Sequence, residues 1–149
     1  MKGLDGGRIN IASCSLGAGY SSLTTARDYV CQRQQFGKPI SAFQNTQFEL
    51  AEMAGQLITS RLVVRQAALA LDNKHPTAGA LCALAKMEAT EKCYNVTDRA
   101  LQLHGGYGYL KDYKPQQDWR DCRVHMILEG TNQVMRMLVS RNVLAAADK

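Results

Sequence analysis

Three observations predict an all-α fold, an up-down four-helix bundle with short extra helical turns. The only prolines, Pro39, Pro76 and Pro115, separate long proline-free segments, and proline is the residue a helix interior excludes. Within those segments, apolar and small residues recur at spacings of three and four. No run alternates apolar and polar residues for long enough to make a useful strand. The 149 residues are 46% apolar and 21% charged, which suits one domain able to bury roughly two thirds of its surface.

The first helix is expected from Arg8 to about Gln35, rich early in Ala12, Ser13, Ser15, Gly17, Ala18 and Gly19. Its glycines cost roughly 1 kcal/mol each in helix propensity, so tertiary packing must hold it. Phe36-Gly37-Lys38-Pro39 reads as its stop, with Gly37 as cap. A second helix, about Gln44 to Asp72, carries Leu50, Leu57, Val64 and Leu71 at heptad spacing, with Met53, Ala54, Ala67 and Ala68 between them. That is one core face of a helix about 40 Å long. A third, about Thr77 to His104, shows the stripe Cys82, Ala85, Ala89, Cys93, Val96, Ala100, Leu103, whose small side chains permit close packing. The loop Gly105-Gly106-Tyr107-Gly108-Tyr109 follows, where backbone can take positive φ. A short helix over Gln116–Cys122 comes after Pro115. The last helix is expected from Thr131, its cap, to about Ala146, with Val134, Leu138 and Ala145 facing inward.

Composition excludes several classes. With 3 Pro and 12 Gly lacking a period, the chain is neither collagen-like nor disordered. No apolar run approaches a membrane span, and Met1 to Gly7 lacks the apolar region of a signal peptide. The net charge of +5 suits an anionic ligand such as a nucleotide or coenzyme A, or simply a mixed helix surface. It also permits nucleic-acid binding, with Tyr107, Tyr109 and Tyr113 as a stacking platform, but no interleaved Lys/Arg cluster supports that and no nucleic-acid partner is expected. Five cysteines (14, 31, 82, 93 and 122) are an odd count without CxxC. Cys14, Cys31, Cys82 and Cys93 fall in helical patterns as small hydrophobes, which implies a reducing compartment. His75, His104 and His125 lack partners at ligand spacing, so no metal site is expected.

Two glycine-bearing turns are candidates for chemistry. Gly105-Gly106-x-Gly108 follows a helix rather than a strand, which fits a helix end better than a phosphate loop. Glu129-Gly130-Thr131-Asn132 sets an acid before a helix N-terminus, as a stabilised carboxylate, a catalytic base or an anion site. Arg33-Gln34-Gln35-Phe36-Gly37 reads as a basic helix end, and Arg61, Arg65, Arg136 and Arg141 as solvated charges.

Together, six segments resemble the C-terminal domain of acyl-CoA dehydrogenases across essentially the whole chain. They are Gly6-Gly7-Arg8; Arg33 to Ile40 with Gln44; Leu50-Ala51-Glu52-Met53-Ala54; Gln102 to Tyr109; Arg120-Asp121; and Ile127 to Val134. Gly7 to Gly17 and Gln102 to Tyr113 are most similar to the isobutyryl-CoA-oxidising branch, although short-chain members share most of these motifs. The resemblance implies FAD-dependent α,β-dehydrogenation of a short, branched acyl-CoA thioester. Glu129 matches the base, which must be desolvated to take a weakly acidic α-proton. Its backbone N–H, with a flavin ribityl hydroxyl, matches the holder of the thioester oxygen. Some relatives carry the base near the start of the first helix instead, at a position matching Gly7, which cannot act as one.

By the same match, Asp5, Gly6, Gly7, Arg8, Gly130 and Arg141 contact acyl-CoA. Arg33, Phe43 and Gln44 lie near FAD. Gln102, Leu103, His104, Gly105 and Gly106 reach the FAD of a neighbouring subunit, and Thr131, Asn132 and Gln133 contact the subunit's own. The family implies a homo-oligomer, dimer or tetramer, and an electron-transfer flavoprotein as acceptor. It also implies the mitochondrial matrix in a eukaryote and the cytoplasm in a bacterium. Family enzymes carry a helical domain and a β-domain before this one. Residues 1–149 are therefore expected to be the C-terminal helical domain alone, with those two domains absent. By itself the chain would be inactive, a helical oligomerisation module.

Overall fold

The computed structural model describes residues 2–145. After a 3-10 turn at Lys2–Leu4, helix α1 runs Asp5–Gln32, α2 Gln44–Asp72 and α3 Ala78–His104. Two short helices follow, α4 over Gly106–Tyr109 and α5 over Pro115–His125, and then α6 over Asn132–Ala145. The helical bundle expected from the sequence forms, with α3 at its centre. α3 packs against α1 and α2 along its length, and α5 and α6 close its remaining side.

The long helices follow the periodic stripes. Met53, Leu57, Val64 and Ala67 of α2 and Cys82, Ala85, Ala89, Cys93, Val96 and Ala100 of α3 are buried. Ala12, Gly19 and Ala26 of α1 meet them, and Val30 is buried on the same helix. Small residues let the backbones approach. A Cβ built on Gly19 would lie 2.6 Å from Leu57 Cδ2, so a glycine here makes room for a leucine whose burial is worth about 1.5–3 kcal/mol. Polar ties fasten the periphery. Arg99 on α3 bridges Glu49 and Glu52 of α2 at 3.2 and 2.6 Å. Ser22 on α1 donates to Asp118 of α5 (3.0 Å), which Lys114 also contacts.

Several sequence expectations are corrected. α1 begins at Asp5 and stops at Gln32, short of Gln35, because residues 34–39 form a tight antiparallel hairpin. In it β1 (Gln34–Gln35) pairs with β2 (Lys38–Pro39), Gln34 opposite Pro39. Phe36 (φ 53°) and Gly37 (φ 78°) both take left-handed backbone, as a two-residue hairpin turn requires. Gly37 therefore turns a hairpin and does not cap a helix. The turn after α3 is not all loop. Gly105 (φ 59°) ends α3, and one helical turn follows. α5 reaches His125, past the expected Cys122. On α6 the buried residues are Asn132 and Met135, whereas Val134 and Ala145 are exposed and Leu138 is half-buried. Only one narrow face of α6 meets α3, and it is set one residue away from the expected one. The predicted end at Ala146 lies outside the described residues. Cys14 and Cys31 are exposed, so they are not core hydrophobes. Cys82, Cys93 and Cys122 are buried, and all five thiols are free.

Candidate functional site

Between α5 and α6 the chain makes a compact turn. The N–H groups of Ile127 and Leu128 donate to the Val124 carbonyl (2.9 and 3.1 Å), and that of Asn132 to the Met126 carbonyl (3.1 Å). At its tip Glu129 (φ 57°) and Gly130 (φ 93°) are consecutive left-handed residues. Glutamate adopts that conformation rarely, so the surrounding contacts must hold it there. Thr131 Oγ1 accepts the Val134 N–H at 3.4 Å, capping α6 as expected.

The Glu129 side chain is exposed and reaches back to the start of α1. A Cβ built on Gly7 would overlap its Oε2 and lie 2.7 Å from its Cδ. Gly7 thus leaves the space the carboxylate occupies, and no larger residue fits there without moving it. One residue on, Arg8 is buried and donates to Asp5 Oδ1 at 2.7 Å. Arg8 Nε has no protein partner. Asp5, Arg8 and Arg141 share one groove of about 390 Å³, with Leu138 and Asn142 on its far wall. Gly6 is open on its Cβ side. The structure therefore gathers Asp5, Gly6, Gly7, Arg8 and Arg141 at the N-terminal turn of α1, whereas Gly130 is outside that groove's wall.

Beneath the turn lies a residue that sequence reading missed. Lys86 of α3 is fully buried, and its Nζ donates to the Gly130 carbonyl (2.8 Å) and to Asn132 Oδ1 (2.7 Å). Asn132 Nδ2 in turn donates to Thr90 Oγ1 (3.0 Å) and Glu91 Oε1 (3.1 Å), and Arg136 reaches the same Glu91 oxygen (2.6 Å). Burial pushes the Lys86 ammonium down to about 8; Glu91 and Glu129 oppose the shift and Arg8 adds to it. The signal was present in the sequence. Position 86 falls on the stripe of Cys82, Ala85 and Ala89, where a charge is out of place.

All but two of the residues matched to FAD divide between two places. Arg33, Gln102, Leu103, His104, Gly105 and Gly106 line one cleft of about 420 Å³ with Tyr29, Gln35 and Tyr107. His104 is buried there, stacked on Tyr29 with ring centroids 4.3 Å apart, and its Nδ1 lies 2.7 Å from the Ala100 carbonyl. Thr131, Asn132 and Gln133 line a separate groove with Glu91, Arg123 and Arg136. The Asn132 side chain is turned inward onto Lys86 and Thr90, and its backbone N–H is taken by the Met126 carbonyl. Phe43 is in neither wall. It packs edge-on to Phe36 (6.1 Å) under the Lys38 ammonium (4.3 Å), and Gln44, at the start of α2, is exposed.

The cleft has the chemistry a dinucleotide needs. The Arg33 guanidinium, 5.7 Å from the Tyr107 ring centroid, is an exposed cation, and Gln35 and Gln102 line the same cleft. Gly105 and Gly106 have open space on their Cβ sides, so a phosphate or ring edge can approach the backbone.

A family model described as acyl-CoA dehydrogenase, C-terminal domain, matches residues 1–144. The chain belongs to this family. The mitochondrial isobutyryl-CoA dehydrogenase of Bos taurus is 58% identical over 97% of the chain and 35% of its own length. That of Dictyostelium discoideum is 52% identical over 96% and 34%. The structure of butyryl-CoA dehydrogenase from Megasphaera elsdenii superposes with a TM-score of 0.92 at 39% identity, covering 95% of this chain and 37% of that one. The chain thus spans about a third of the length of the relatives it matches. Among the described residues, no helix of this acyl-CoA dehydrogenase domain is long and apolar enough to cross a membrane.

Proposed function

We propose that this chain is the base-bearing domain of an FAD-dependent acyl-CoA dehydrogenase acting on a short, branched acyl-CoA, isobutyryl-CoA first. The observation that carries the reading is the Glu129 carboxylate, held on a left-handed turn in the space left open by Gly7. Identity to the two isobutyryl-CoA dehydrogenases supports the choice of substrate.

In this reading the Glu129 carboxylate takes the α-proton of the thioester. Its backbone N–H polarises the thioester oxygen, lowering the cost of the negative charge that develops there. Arg8 and Arg141, in their shared groove, hold the anionic substrate. Arg33, Gln102 and the Gly105-Gly106 backbone would hold one FAD, and the Thr131–Gln133 segment would hold another. When bound, FAD would supply the acceptor for the β-hydride, and an electron-transfer flavoprotein is the partner that would accept electrons from the loaded enzyme. This chain leaves Glu129 exposed, so the desolvation a base needs is supplied by substrate, cofactor and the rest of the enzyme. A eukaryotic source would place the protein in mitochondria, as the names of the two isobutyryl-CoA relatives do.

The test is Glu129→Gln in the full-length, FAD-loaded protein. FAD stays bound, and anaerobic bleaching of the flavin by isobutyryl-CoA slows by at least about 100-fold. Bleaching at the unaltered rate would refute the assignment.

A second reading, that the isolated chain acts as an oligomerisation module, is favoured by α2. Ile58, Leu62 and Leu69 are 55, 62 and 57% exposed along one face, an apolar stripe that a second copy would cover. The isolated chain is expected to sediment as a dimer or larger at micromolar concentration, and Ile58→Glu/Leu62→Glu to dissociate it. A monomeric wild-type chain would rule this reading out.

A further inference from the structure

We propose that Lys86 is the positioning residue of the base-bearing turn: its ammonium holds the Gly130 carbonyl and the Asn132 side chain, so that Glu129 keeps one geometry. The inference rests on the reading of Glu129 as the base.

Lys86 is fully buried on the face of α3 that carries Cys82, Ala85 and Ala89, a place that a methionine would fill without desolvating a charge. What the ammonium adds is reach. Two strong hydrogen bonds, at 2.8 and 2.7 Å, cross from the middle of α3 to the turn between α5 and α6. They land on both sides of Thr131, and one of them ends on Gly130, the second of the two left-handed residues. Asn132 extends the hold, since its amide donates to Thr90 and Glu91 on the next turn of α3. The peptide between Gly130 and Thr131, one residue beyond Glu129, is thus tied to the central helix by the Lys86 ammonium, with the Asn132 side chain as a second link. The side chain of Glu129 has no protein anchor of its own in the turn, and it projects into the gap at Gly7. Fixing the backbone is how this fold aims the carboxylate. The titratable groups that act on Lys86 are Glu91 on its own helix, Arg8 from α1, Glu129 from the turn and His125 from α5, with Arg136 of α6 bound to Glu91.

The test uses the full-length, FAD-loaded protein, with rates expressed per bound FAD. Lys86→Met is expected to lower kcat by about 10- to 100-fold while KM changes less than about three-fold. The kinetic isotope effect with α-deuterated isobutyryl-CoA should rise, because a displaced base makes proton removal more rate-limiting. A purely structural role would reduce FAD content or stability and leave the isotope effect per bound FAD where it was. Unchanged kcat, or a lower kcat with an unchanged isotope effect, therefore overturns the proposal. Should Lys86→Met fail to take up FAD, Thr90→Val decides. It removes one Asn132 contact at nearly constant volume, and a raised isotope effect with kcat reduced about two- to five-fold supports the hold. Values matching the unmodified protein overturn it. Glu129→Gln is run alongside. If that variant still turns over, the reading of the base fails. If it is inactive and Lys86→Met is unaffected, only the role of Lys86 fails.

Discussion

Gly7→Ala separates stability from activity by giving them opposite signs. The added methyl would lie 2.7 Å from Glu129 Cδ, where an ordinary contact begins at about 3.4 Å. The carboxylate must therefore retreat by at least about 0.7 Å, and its Oε2, which the methyl would overlap, by more. It is the far end of a flexible, exposed side chain, so it retreats easily and the fold loses little. Position 7 is helical with no left-handed backbone, so alanine gains roughly 0.5 kcal/mol of helix propensity, less than the full value of about 1 kcal/mol because it sits in the first turn. A base displaced by most of an ångström, however, costs about 10- to 100-fold in rate, or about 1.4–2.7 kcal/mol of barrier. The assay is thermal denaturation of the full-length FAD-loaded protein beside anaerobic flavin bleaching by isobutyryl-CoA. The expected result is an equal or slightly higher melting temperature with bleaching slowed at least ten-fold. Bleaching within two-fold of the unmodified protein, at full stability, would refute the idea that the gap at Gly7 sets where the carboxylate stands.

Two further outcomes follow from the buried groups. Burial holds the Cys93 and Cys122 thiols up at about 12, and burial and Asp5 raise Cys82, so these three should resist a thiol reagent at pH 8 while Cys14 and Cys31 react. Counting two fast thiols in the folded chain and five after unfolding would confirm this; fast reaction at Cys93 would contradict the packing of α1 on α3. His125, within 2.9 Å of Ser15 Oγ, is held below its usual range by burial, with Lys86 adding to the shift and Asp121 opposing it. The unfolded chain takes up that proton first as pH falls below about 6.5, so it binds more protons than the folded chain and stability declines with falling pH until the folded ring also protonates. Urea midpoints between pH 7.5 and 5.5 should fall more steeply for the unmodified protein than for His125→Gln; parallel slopes would show that this ring does not contribute.

The sequence by itself determined the long elements. α2 and α3 start and end within a residue of where the stripes and prolines put them, because a helix that buries one face must repeat its apolar residues every three or four positions. The motifs around Glu129, Gly105-Gly106 and Arg33 were legible as a family pattern, since each combines a turn with the charge or glycine its chemistry uses. Tertiary structure decided what lies far apart in the chain. That Gly7 faces Glu129, and that Asp5 and Arg8 share a groove with Arg141, depends on how the start of α1 docks beside the turn before α6, and no local pattern encodes that. The hairpin at Gln34–Pro39 was hidden because its strands are two residues each, too short for any period. Lys86 shows the difference most plainly. Its place on the stripe of Cys82, Ala85 and Ala89 marked it as a charge facing inward, but only the folded chain brings the Gly130 carbonyl and Asn132 to its ammonium and gives that buried charge something to hold.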